Sequence, residues 1–202
     1  MPHVVLLGDS IFDNAAYVGR GPAVIDQLRA SLPSGWRATL LALDGARTRD
    51  VPSQVRRVPS DATHLVVSMG GNDALEMSEM LDLPVQSTAE ALRVFARALH
   101  EFEQNYRIAL AACLRKNLPL IVCTVYDGNF PDSDYQLRAS TALAIFDDAI
   151  VRIAREKRCP VIELRQVCTS PLDYANPIEP AVVGGEKIVR EIRCMLERDL
   201  IA

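Results

Sequence analysis

Five short, largely apolar runs recur along the chain, and a longer amphipathic stretch separates each from the next. The runs are His3 to Leu7, Arg37 to Leu43, His64 to Ser68, Leu118 to Val125 and Pro160 to Leu164. Runs this short and this continuously apolar predict strands buried on both faces, the signature of a parallel sheet. Parallel strands need crossovers, and the intervening stretches supply them. Helices are predicted near Pro22 to Ser31, Asp50 to Arg57, Thr88 to Lys116, Gln136 to Lys157 and Val182 to Asp199. The expected class is therefore α/β, a three-layer α/β/α sandwich on a five-stranded parallel sheet.

The third helix opens on Ser87-Thr88-Ala89-Glu90, a capping-box spacing. Its apolar stripe, Leu92, Phe95, Ala96, Leu99, Phe102 and Tyr106, is read as packing on the core. The 202 residues fit one domain, 1–202, with no repeat or linker. The segment Asp73 to Gln86 breaks the pattern: Leu75, Met77, Met80 and Leu81 lie among acidic residues directly after a strand end. Flexible methionines suit adaptable apolar contacts, so this segment is either a lid that touches an acyl group or plain packing.

Composition removes several function classes. A net charge of −4 and only 5% aromatic residues leave neither a basic face nor a stacking platform for nucleic acid. No segment approaches the roughly 20 apolar residues of a membrane span, and Val4 to Leu7 is too short for a signal-peptide core. A cytoplasmic location is the expectation. Five cysteines without a CxxC suggest neither a zinc site nor a disulfide framework; buried free thiols are expected, with Cys168 the candidate for exposure.

Open α/β sheets bind ligands at the carboxyl ends of their strands. The five predicted ends are followed by Gly8-Asp9-Ser10, Asp44-Gly45-Ala46-Arg47-Thr48, Gly70-Gly71-Asn72-Asp73, Tyr126-Asp127-Gly128-Asn129 and Asn176-Pro177-Ile178-Glu179-Pro180. All fall on one edge of the sheet. No GxSxG elbow, dinucleotide fingerprint or P-loop competes with them.

These blocks, taken in order, resemble the SGNH (GDSL) hydrolase superfamily of esterases, lipases, thioesterases and carbohydrate deacetylases. The resemblance implies a flavodoxin-like sheet with strand order 2-1-3-4-5. It implies that Ser10 is the nucleophile and that Ser10, Gly45 and Asn72 supply the oxyanion-hole donors. The substrate implied is a small ester or an acylated carbohydrate, with no cofactor. Asp127 and Asn129 are read as substrate-binding groups at the pocket rim. Asp9 is counted with them, although bracing the nucleophile turn is its preferred role. Arg47 and Arg49 are read as solvated surface.

One block departs from the family. Its fifth block reads Asp-x-x-His-Pro, whereas Asn176 and Glu179 stand here at the aspartate and histidine positions, in a register kept by Pro180 and Gly184. The other histidines do not substitute. His3 and His64 begin strands at the far edge, about 17–20 Å away, and His100 is mid-helix. Two readings follow: Glu179 accepts the Ser10 proton, with Asn176 orienting its carboxylate, or the domain is a catalytically impaired binding module. A metal-assisted variant would draw on Asp9, Asp127 and Glu179.

Overall fold

The computed structural model describes residues 1–199; residues 200–202, part of the one-domain expectation, lie outside the described residues. Its centre is a parallel five-stranded sheet: β1 (His3–Gly8), β2 (Arg37–Leu40), β3 (His64–Ser68), β4 (Leu120–Cys123) and β5 (Val161–Ile162). The spatial order is β2-β1-β3-β4-β5, as the resemblance implied. Seven helices accompany it among the described residues: α1 (Val24–Ser31), α2 (Val51–Arg56), α3 (Gly71–Glu76), α4 (Thr88–Leu114), α5 (Ser133–Glu156), α6 (Leu164–Val167) and α7 (Val182–Asp199).

The lack of polar alternation in the strands has a direct cause, since both faces are covered. Val5, Leu7, Leu65, Val67 and Val122 point to a layer holding Phe102 and Tyr106 of α4 and Ile150 and Ile153 of α5. Val4, Leu6, Val66, Ile121 and Ile162 point the other way, onto Leu28 of α1 and Ile188 and Ile192 of α7. Side chains that alternate along a strand thus meet two different cores.

Three sequence-based expectations need correction. Strands two, four and five are shorter than predicted. Leu41 and Ala42 both donate to the Leu6 carbonyl (2.9 and 3.0 Å), which breaks the ladder beyond Leu40. Leu164 N–H donates to Thr124 Oγ1 (2.9 Å) instead of a strand partner and begins α6. Cys168 is buried, and Cys194 is the exposed thiol among the described residues.

The third correction concerns α4. Of its predicted core stripe only Phe102 and Tyr106 are buried, while Leu92 is 59% exposed and Phe95 and Leu99 are half-buried. Length explains the difference. A helix of 27 residues runs about 40 Å, whereas the five-residue β3 spans roughly 17 Å. The crossover starts at the carboxyl edge of the sheet, so the first half of α4 stands beyond that edge. The 24-residue α5 does the same, with no buried residue before Phe146. The segment Asp73 to Gln86, read as a lid or as plain packing, holds the end of α3 followed by a 3-10 turn over Ser78–Asp82.

Candidate active site

The nucleophile turn is set by the residue before it. Gly8 has φ +120°, and a Cβ there would lie 1.6 Å from the Ser68 carbonyl oxygen, so only glycine fits. Buried Gln54 of α2 grips its backbone from the side: Gly8 N–H donates to Gln54 Oε1 and Gln54 Nε2 donates to Gly8 O, both at 2.8 Å. Beyond it, Asp9 Oδ1 accepts Ile11 N–H (3.2 Å) and Asp9 O accepts Phe12 and Asp13 N–H (both 3.2 Å). Ser10 sits at the apex of this turn, 7% exposed. Burial pushes the Asp9 carboxyl up to about 8, with the nearby Glu179 and Asp73 charges adding to the effect. Asp9 therefore favours its neutral form at pH 7.

The second and third blocks are tied to each other. Asn72 Nδ2 donates to Ala46 O (2.9 Å), while Thr48 donates to Asp73 through both its N–H (Oδ2, 3.0 Å) and its hydroxyl (Oδ1, 2.6 Å). Gly45 occupies the left-handed region, φ +75°, in an exposed turn. Asn72 reaches that turn through its neighbour Ala46. An amide nitrogen carries two hydrogens, and Ala46 takes one of them.

Glu179 is 4% exposed and comes from the segment between α6 and α7. Its carboxylate faces the Ser10 side chain, which acts to lower the pKa, and its Oε2 is buried without a hydrogen-bond partner. Burial acts more strongly in the other direction, and with Asp44 nearby the group is raised to about 7. The backbone carrying Glu179 is held on every side. Asn176 Oδ1 accepts the N–H groups of Ile178 (3.0 Å) and Glu179 (2.9 Å). The Asn176 oxygen thus caps the backbone that carries Glu179. Buried Asn14 donates to Pro180 O (3.0 Å) and accepts Val24 N–H (2.9 Å). Tyr126 OH donates to Ile178 O (2.6 Å), and Asn129 N–H donates to Pro177 O (2.8 Å).

Ser10, Asn72 and Glu179 line one cavity of about 90 Å³ whose other walls are mostly apolar, including Met77, Met80, Leu143 and Phe146. Asp9 and Asp127 also line it; Gly45 and Asn129 do not. Asn129 is exposed and contributes its backbone to the Glu179 loop. Burial raises Asp127, against the opposing pull of Arg165. Arg47, expected to be solvated, pairs with Glu76. His3 bonds Thr39 and Asp61, His64 stacks on Trp36 and His100 meets Gln104, all away from Ser10 in the structure's contacts. Among the described residues no group of three or more His, Cys, Asp or Glu side chains is placed to hold a metal ion, so Asp9, Asp127 and Glu179 do not form one ligand set.

Gln54 and Asn14 escaped the sequence reading, and Tyr126 entered it without a role. Each acts on backbone distant in sequence, and a lone Gln, Asn or Tyr carries no local sign of that.

The chain was compared with known proteins. The profile described as "GDSL-like Lipase/Acylhydrolase family" matches residues 6–179. No curated protein matches the chain in a sequence search. Among solved structures, the extracellular lipase of Streptomyces rimosus superposes with a TM-score of 0.70 at 18% identity, covering 95% of this chain and 99% of that one. Phospholipase A1 from Streptomyces albidoflavus NA297 gives 0.68 at 16% identity, with 94% and 98% covered. The psychrotrophic esterase EstA from Pseudoalteromonas sp. gives 0.66 at 14% identity, with each chain covered in full (100%). At these identities the likeness is one of fold.

Proposed function

The chain belongs to the GDSL-like lipase/acylhydrolase family, and from that premise we propose that it hydrolyses an ester by nucleophilic attack of Ser10, with Glu179 as the base. The observation that carries this reading is the buried Glu179 carboxylate against Ser10, raised to about 7. A general base works best when its pKa lies near the working pH, and burial brings Glu179 there from the ordinary carboxylate range.

The steps balance as follows. Ser10 Oγ bonds to the ester carbonyl carbon while its proton passes to Glu179. The oxygen that becomes negative is met by the Ser10 N–H and by the second Asn72 amide hydrogen. Each such donor is worth about 3–4 kcal/mol in the transition state. Collapse breaks the ester C–O bond, and Glu179 returns the proton to the departing alcohol. Water then attacks the acyl-serine, giving its proton to Glu179, and the acid leaves as Ser10 recovers the proton.

The test is covalent labelling by a fluorophosphonate, with Ser10→Ala as control. A single adduct on Ser10 that is absent from the control is expected. No adduct, together with no hydrolysis of p-nitrophenyl acetate, would overturn the assignment and favour a binding module.

A further inference from the structure

The oxyanion site has one donor fewer than the resemblance implied. Gly45 lies in an exposed turn and does not line the cavity, which leaves the Ser10 N–H and one Asn72 amide hydrogen. Asp9 does line the cavity, although its carboxyl is buried. Bracing the nucleophile turn engages only one end of that side chain. Its Oδ1 accepts Ile11 N–H (3.2 Å), and among the described residues no hydrogen bond engages Oδ2. A Cβ placed on Gly71, another wall residue, would stand 3.9 Å from Oδ2. This oxygen therefore lies beside the residue that precedes Asn72.

We propose that Asp9 is a third oxyanion donor, giving the carboxylic acid hydrogen on Oδ2 to the carbonyl oxygen of the bound ester as that oxygen turns negative. The proposal rests on the ester-hydrolase reading of Ser10 and adds a catalytic residue to it. The proton stays on Asp9 throughout. Its O–H···O contact becomes charge-assisted while the tetrahedral adduct exists and relaxes when the ester C–O bond breaks.

Charge favours the acid over the anion. The titratable groups that face Asp9 are Glu179, Asp73 of α3, Cys123 of β4 and Tyr126, and none carries a positive charge. Among the described residues no Lys, Arg or His lines the cavity. An ionised Asp9 would repel the oxygen that Ser10 makes negative, whereas the neutral acid offers it a donor. Burial holds the group in that form, raised to about 8. A carboxylic acid kept neutral by an apolar site can stabilise an oxyanion in this way.

The experiment separates donation from bracing. In the parent, kcat/KM for p-nitrophenyl acetate is expected to fall as pH rises through about 8 and Asp9 ionises. Asp9→Ala is expected to lower kcat about 10²–10³-fold. Asp9→Asn still accepts Ile11 N–H and turns an amide donor toward the cavity. It is expected to recover about tenfold or more over Asp9→Ala and to abolish the alkaline fall. A residue that only braced the turn would not move that limb, so an alkaline fall that persists in Asp9→Asn would overturn the proposal, whether or not Asp9→Ala folds. A second readout needs no turnover: the infrared carbonyl band of ethyl acetate bound to the Ser10→Ala protein. That band is expected to lie lower than in the protein carrying both Ser10→Ala and Asp9→Asn, because an acid hydroxyl is the stronger donor. Bands at one position would also overturn the proposal. Absence of Ser10-dependent hydrolysis in the parent would instead strike the ester-hydrolase reading, leaving the carbonyl band to decide Asp9.

Discussion

A carboxylate that takes a proton from a hydroxyl must be uncomfortable as an anion, and Glu179 is made so by burial. Only its ionised form accepts the Ser10 proton, so kcat/KM for an aryl ester is expected to rise with pH through about 7. Glu179→Gln keeps the shape and removes the base; a fall in kcat of about 10²–10⁴-fold is expected. Activity unchanged in that variant would remove Glu179 from the mechanism. The pair Asn176→Asp with Glu179→His is expected to raise turnover on the order of tenfold. An aspartate at 176 can still accept the N–H groups of Ile178 and residue 179, and its second oxygen is then available to a histidine. The spacing of Asn176 and Glu179 was legible in the sequence because Pro180 and Gly184 frame it. The use of the Asn176 oxygen was not, because an amide side chain has two ends and only the folded loop shows which partner each end finds.

Among the elements, the turn after β1 depends on a residue that is not in it. Removing the Gln54 side chain leaves the Gly8 N–H buried without its partner, at about 1–3 kcal/mol, while Gly8 O keeps the Leu43 N–H (3.0 Å). Gln54→Ala is therefore expected to lower the urea midpoint by the equivalent of about 1–3 kcal/mol and to reduce Ser10 labelling in the fraction that stays folded. A midpoint within 0.5 kcal/mol (about the noise of a surface change) would count against the clamp. The strands and their order were readable because apolar runs buried on both sides show no alternation. The fate of the α4 stripe was not. Periodicity marks Leu92, Phe95 and Leu99 as one face, and it says nothing about what covers that face. Only the mismatch between helix length and strand length reveals that the sheet does not reach it.

For the whole molecule, burial raises Asp127 and, furthest, three other carboxyl groups: Asp9 to about 8, and Asp147 and Glu179 each to about 7. Each binds its proton more tightly in the folded chain than in the unfolded one. Their contribution is fully present below the ordinary carboxylate pKa of about 4 and is lost as pH rises through 7 to 8. The melting temperature is thus expected to fall between pH 5 and pH 8, and to fall less steeply in Glu179→Gln; a flat or rising profile would contradict the burial of these groups. The overhang of α4 and α5 has a different consequence. The α5 half is tied to the Ser78–Asp82 turn by Arg138, which donates to Asp82 (2.7 Å), and no residue is buried before Phe102 on α4 or before Phe146 on α5. Helical turns without a buried face open locally at lower free energy than the rest. Amide hydrogens of residues 91–99 and 137–144 should therefore exchange with deuterium well before those of 106–113 and 150–155 on the same two helices. The overhanging halves would then breathe while the sheet that carries Ser10 stays shut.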